Sequence, residues 1–123
     1  MEKLTATEEE IMKHIWDLKA CTVSQILDKY GKDKPPHSTI SSVVRILEKK
    51  GFVSHKAYGR TYEYFPIVSK KDYTKRSLKQ LVADYFAGSP NELVSFLVKE
   101  QQIDADEMES LIQSLKTNKE KSQ

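Results

Sequence analysis

Between Pro35 and Pro66 the chain reads PPHSTISSVVRILEKKGFVSHKAYGRTYEYFP, and this order of signals leaves few folds open. Proline lacks a backbone donor and biases the residue before it against helix, so a helix is expected to start after Pro36, with His37 or Ser38 near its cap. Ile40, Val43, Val44 and Leu47 recur at helical spacing as a buried stripe. His37, Ser38, Ser41, Ser42, Arg45 and Lys49 fall on the other side or its margins. Gly51 is a helix stop, and Phe52 can fold back over the last turn. Phe52–His55 and Thr61–Phe65 then read as two strands joined through Lys56-Ala57-Tyr58-Gly59-Arg60, with Gly59 supplying the tight turn. Alternation puts Tyr62 and Tyr64 on one face of the second strand and leaves open which face is buried.

Upstream, Thr7 followed by Glu10 has the spacing of a capping box, and Glu8, Glu9 and Glu10 suit the positive end of a helix dipole. Ile11, Ile15 and Leu18, widened by Met12 and Trp16, place a helix at about residues 8 to 19. Thr22 caps a second, short helix with Val23, Ile26, Leu27 and Tyr30 on its apolar side, ended by Gly31. KDKPP is a loop. Two helices, a third with a polar outer face and a hairpin make a winged helix-turn-helix domain, expected over residues 1–70. The fold class is thus mainly α with a small β wing, followed by a C-terminal helical region.

That region, residues 71–123, carries a helix from Lys70 to Phe86 with Tyr73, Leu78, Leu81, Val82, Tyr85 and Phe86 on its apolar side. Gly88-Ser89-Pro90 breaks it, and Pro90 suits the first turn of the next helix, whose face is Leu93, Val94, Phe96, Leu97 and Val98. Asp104 caps a last helix bearing Met108, Leu111, Ile112 and Leu115. About 50 residues make a poor independent core. The preferred expectation is that these faces bury against a second copy of the chain, in a dimer that presents two recognition helices about one helical turn of duplex apart. The alternative packs them intramolecularly onto the first helix.

A net charge of +2 on 123 residues does not choose a partner, but its distribution is uneven. Arg45 to Arg60 holds five Lys or Arg and one acidic residue, whereas 104–109 is acidic. A basic stripe on this fold points to duplex DNA as partner. The outer side of the third helix must enter a groove about 12 Å wide, and small or polar residues suit it. His37, Ser38, Thr39, Ser41, Ser42 and Arg45 are therefore the candidate base readers, Arg45 through the bidentate contact that guanidinium makes with guanine. Lys49, Lys50, Lys56, Tyr58 and Arg60 are candidate phosphate and wing contacts. Arg45 and Lys49 as plain surface residues, and Tyr62 and Tyr64 as hairpin packing, are the competing readings.

The chain is similar at this point to the BlaI/MecI family of bacterial transcriptional repressors. LTATEEEIMKHIWDLKACTVSQIL looks like that family's first two helices, and STISSVVRILEKKGFVSHKAYGRTYEYFPIVSKKDY like its recognition helix, wing and entry to the dimerisation helices. Thr39, Leu47, Lys49, Lys50, Gly51 and Phe52 match, as do Gly59, Arg60, Tyr64 and Pro66 in the wing. The resemblance implies a homodimer on a palindromic operator, blocking transcription and controlled by a membrane-bound sensor metallopeptidase. It places cleavage in NELVSFLVK, at Phe96-Leu97, where the family site carries Asn-Phe; the same two residues also read as dimer core. Ser41 stands where the resistance repressors carry arginine, and Arg45 where they carry a smaller polar residue, which implies a different operator.

Other classes find less support. His14, His37 and His55 are scattered, with no Cys or carboxylate at metal-ligand spacing, and there is no Gly-rich phosphate loop, so neither enzyme, metal nor cofactor is expected. Cys21, the single cysteine, rules out an intrachain disulfide and reads as a buried small residue. A polar N-terminus without a signal sequence and no apolar run of about 20 residues suggest a cytoplasmic protein. A winged helix that binds another protein, or a ligand-sensing repressor, are the alternatives.

Overall fold

The structure, a computed structural model, describes residues 3–100, 104–107, 109, 110 and 113. Its elements are α1 (Ala6–Leu18), α2 (Val23–Asp28), α3 (His37–Lys49), β1 (Val53–Tyr58), β2 (Thr61–Pro66), α4 (Lys70–Tyr85) and α5 (Pro90–Glu100). They divide into two compact units, residues 1–74 and 75–123.

In the first unit each helix starts from a local signal. Thr5, not Thr7, caps α1: its side chain accepts from the Glu8 backbone, and Glu8 Oε1 accepts from Thr5 N at 2.9 Å. Thr22 caps α2, as the sequence predicts, and Gln25 completes the same reciprocal box. α3 begins directly after Pro36 with no side-chain cap. It ends in a Schellman motif, in which Gly51 N donates to Glu48 O and Phe52 N to Leu47 O. Gly51 takes φ +86°, a conformation that a Cβ disfavours, and the turn it permits drives Phe52 into the core beside Leu47.

The core gathers one stripe from each helix: Ile11, Met12 and Ile15 of α1, Ile26 of α2, and Ile40, Val44 and Leu47 of α3, closed by Phe52, Val53 and Tyr64. Val43, expected in that stripe, is only half-buried at its edge. β1 and β2 pair antiparallel from Val53↔Pro66 to Tyr58↔Thr61. The strands thus run further than the sequence suggests, to a two-residue turn at Gly59-Arg60. Positive φ at Gly59 but not at Arg60 is the sign pattern of a type II′ turn. The buried face is that of Tyr64, which also bridges Cys21 through two backbone hydrogen bonds of 2.7 and 2.8 Å. Cys21 is fully buried; burial and the nearby Glu63 charge push its thiol up to about 11, which keeps it protonated at neutral pH.

Tyr73, expected on the dimer face, makes contacts within the first unit. Its ring lies 5.5 Å from Trp16 and 5.9 Å from Phe52, and its hydroxyl donates to Glu9 Oε2 at 2.7 Å. Trp16 in turn donates from Nε1 to the Val68 carbonyl. The first turn of α4 is thereby fastened to α1, and Tyr73 packs within the first unit.

In the second unit, Gly88 at φ +75° separates α4 from α5, and the Ser89 side chain caps α5 through Glu92 N. Phe86 and Phe96 meet edge to face at 5.5 Å. Leu78, Leu81 and Tyr85 of α4 stay exposed, as does Phe96, while Leu93 and Leu97 are half-buried and Val82 is buried. Asp104 accepts from Asp106 N at the start of a helical stretch. Met108, Leu111, Ile112 and Leu115, expected on the dimer face, lie outside the described residues. No described helix is long and apolar enough to cross a membrane.

Candidate nucleic-acid interface

The buried stripe of α3 fixes which side chains face out. With Ile40, Val44 and Leu47 inward, a 100° step per residue sends Ser38, Ser42, Arg45 and Lys49 to the opposite side, and all four are exposed. His37 and Thr39 are exposed beside them, while Ser41 is half-buried at the margin. Ile46, which sequence reading passed over, is 43% exposed on the edge of the same face, next to Ser42 and Lys49 in the helix phase. Plotting α3 at its own period would have found it.

The wing adds Lys56, Tyr58 and Arg60, all exposed at its tip half. Arg45, Lys49, Lys56 and Arg60 make no ion pair among the described residues. These four cations lie on α3 and the wing. Lys56 faces Glu63 across the ladder, which tempers its charge.

Lys50 is placed differently from its basic neighbours. Its ammonium donates to Glu8 Oε1 at 2.6 Å and to the Lys3 carbonyl at 3.2 Å, and its side chain is largely covered. Glu8 is buried; burial alone would raise its pKa, yet the Lys50 hydrogen bond and charge, with the Thr5 amide, hold it below the ordinary 4.5. Lys50 therefore ties the end of α3 to the start of α1, with its cation engaged by Glu8.

The base of the wing is joined to α3 by a second cluster. His55 Nδ1 lies 2.6 Å from Glu48 Oε2, and its ring stacks on Tyr62 at 4.4 Å. Tyr64 closes the cluster at 5.5 Å from His55; burial, then the Glu48 charge, raise its pKa, with Arg45 opposing. Among the described residues no group of three His, Cys, Asp or Glu could hold a metal ion.

The sequence pattern of the penicillinase repressor family matches residues 4–117. The chain belongs to that family. Like other family members it has a winged helix: the solution structure of the DNA-binding domain of the repressor BlaI superposes with a TM-score of 0.51 at 28% identity, over 59% of this chain and 94% of that one. The methicillin resistance regulatory protein MecI of Staphylococcus aureus strain N315 is 28% identical over 111 residues, 89% of each chain. The penicillinase repressor of Bacillus licheniformis is 25% identical over 118 residues, 95% of this chain and 92% of its own. These penicillinase-repressor relatives are named as regulators and not as enzymes.

Proposed function

We propose that this penicillinase repressor family member is a homodimeric transcriptional repressor that reads a palindromic operator with α3 and grips its phosphates with the wing. The observation that carries this reading is the outward row Ser38, Ser42, Arg45 and Lys49, placed opposite a fully buried stripe and beside the exposed wing cations Lys56 and Arg60. Arg45 reads guanine, and the exposed Ile46 offers the apolar contact that suits a thymine methyl. The uncapped start of α3 turns its backbone amides to phosphate. Lys49, Lys56 and Arg60 supply further phosphate contacts, and Tyr58 flanks them. Lys50 takes no part, being held by Glu8.

Two experiments test the DNA assignment. Arg45→Ala should cost about 1–3 kcal/mol of binding and relax preference at one base position per half-site. Lys56→Ala should weaken all sites about equally and lower the salt slope by roughly one. Sequencing of duplexes selected from a random pool reads the first and binding measured across salt concentrations reads the second; an unchanged preference in the Arg45 variant removes Arg45 from base reading.

The dimer is supported by the exposed row Leu78, Leu81 and Tyr85, with Phe96 nearby in sequence on α5, in a region too small to bury them itself. Wild-type protein should sediment as a dimer at micromolar concentration, and Leu81→Glu or Phe96→Glu as a monomer. A dimer that survives both substitutions would contradict this placement. Relief of repression by a membrane sensor peptidase is consistent with the position of Phe96-Leu97 inside α5, because cutting there divides the proposed interface.

A further inference from the structure

The proposed DNA-reading half of the winged-helix unit, Pro35 to Pro66, contains only two carboxylates, Glu48 and Glu63. Each is set against a basic residue of β1. Glu63 faces Lys56 across the ladder, and Glu48, the only acid on α3, meets His55 at 2.6 Å. An ionised carboxylate can only accept, so His55 donates from Nδ1. Both side chains of the Glu48–His55 pair remain about one-third exposed, at 32% and 31%, so the pair borders solvent and is not core. Glu48 sits one turn beyond Arg45 in chain order, and a bare charge there would lie close to any phosphate that Arg45 or the wing approaches.

We infer that Glu48 and His55 are positioning residues for DNA binding: their hydrogen bond fixes the base of the wing against α3 and holds the one carboxylate of α3 away from the phosphate backbone. The inference rests on the DNA reading proposed above. His55 suits both tasks. Its ring is clamped by Tyr62 on one side and approached by Tyr64 on another, so its direction is set by packing, and its hydrogen bond bridges the two DNA-contacting elements. Without it, β1 and β2 keep their ladder and their anchor at Tyr64, but the tip bearing Lys56 and Arg60 loses its brace to α3. The groups that face His55 are Glu48 on α3 and Tyr62 and Tyr64 on β2, with Arg45 near Tyr64.

The test uses the full chain and duplexes selected from a random pool by the wild-type protein. His55→Ala should weaken binding on the order of tenfold, the scale of a lost charge-assisted hydrogen bond. It should also lower the salt slope by about one. Hydroxyl-radical footprints should lose protection at the flanks, where the wing lies, while base preference at the centre of each half-site stays as in wild type. Adding Glu48→Gln to His55→Ala should recover several-fold of the loss, because the unmasked carboxylate is gone. Circular dichroism melts of the variants confirm that the fold persists, and His55→Gln, which retains a donor, should fall between alanine and wild type. A His55→Ala protein with wild-type footprint and slope, or a double variant that binds no better than His55→Ala, overturns the inference while leaving the DNA reading intact. A wild-type chain that selects no duplex at all overturns both.

Discussion

Replacing Phe52 by alanine is expected to destabilise the winged-helix unit by about 3–5 kcal/mol, the usual cost of emptying a fully buried aromatic site. Phe52 is the largest side chain with no exposed surface. Its backbone also joins elements: its N–H closes the C-terminal turn of α3, and its carbonyl accepts from Ile67 and Val68, just beyond β2. Its ring meets Tyr73 at the start of α4. A unit of this size has a total stability of roughly 4–11 kcal/mol. The substitution thus removes a large share of it, and at about 4–8 °C per kcal/mol it should lower the melting temperature by tens of degrees. Urea unfolding followed by circular dichroism measures this. A loss below about 1 kcal/mol would mean that the site collapses to fill the space, which the convergence of α3, β1 and α4 on this ring argues against.

The second large effect belongs to Lys50. Lys50→Met leaves the Glu8 carboxylate buried with only the Thr5 amide and hydroxyl region for support, and breaking a covered ion pair from one side costs about 3 kcal/mol. The pair Glu8→Gln with Lys50→Met should recover most of that, since no buried charge then remains. Acid titration separates the cases. Because Glu8 in the folded wild type lies below its ordinary 4.5, its contribution is fully present above that pH and drains away as the pH falls through the lower, folded value. In Lys50→Met the cation that lowers it is absent, while burial, which raises it, and the Thr5 hydrogen bonds, which lower it, remain and oppose each other. That variant should lose less stability on acidification than the wild type does. Parallel pH dependences for the two proteins would place the Glu8–Lys50 pair outside the stability of the fold. DNA binding by Lys50→Met, measured where it is folded, should keep the wild-type salt slope, because the Lys50 cation is engaged by Glu8.

Much of the fold was legible because its signals are local. Thr22, Pro36, Gly51 and the Ile40–Val44–Leu47 period each act within one turn of chain, so spacing alone locates them. The misreadings arise where two local signals tie and a distant contact decides. Thr5 and Thr7 both stand three residues before a glutamate. Thr5 wins where Leu4 is buried and Glu8 is held by Lys50, 42 residues away in sequence. The same contact withdraws Lys50 from the basic surface, although by composition it looks identical to Lys49. Tyr73 reads as part of an amphipathic helix, yet its neighbours Trp16 and Phe52 come from other elements. The Glu48–His55 bond was invisible for a related reason: seven residues separate the pair, and only the Schellman turn at Gly51 brings β1 back along α3. The outer row of α3 was readable as a face, but Ile46 was not, because an apolar residue in a helix is assigned inward until the buried stripe is fixed.

The central claim is that α3 and the wing together bind duplex DNA as a sequence reader. It is tested most directly by the salt dependence of wild-type binding to a duplex selected from a random pool, with a scrambled duplex as control. With Lys49, Lys56, Arg60 and the α3 amides of each protomer on phosphate, as proposed, a dimer should show a log–log slope of about −4 or steeper. The selected duplex should also be preferred by at least about a thousandfold over the scrambled one. A slope near zero, or equal affinity for the two duplexes, would contradict the account.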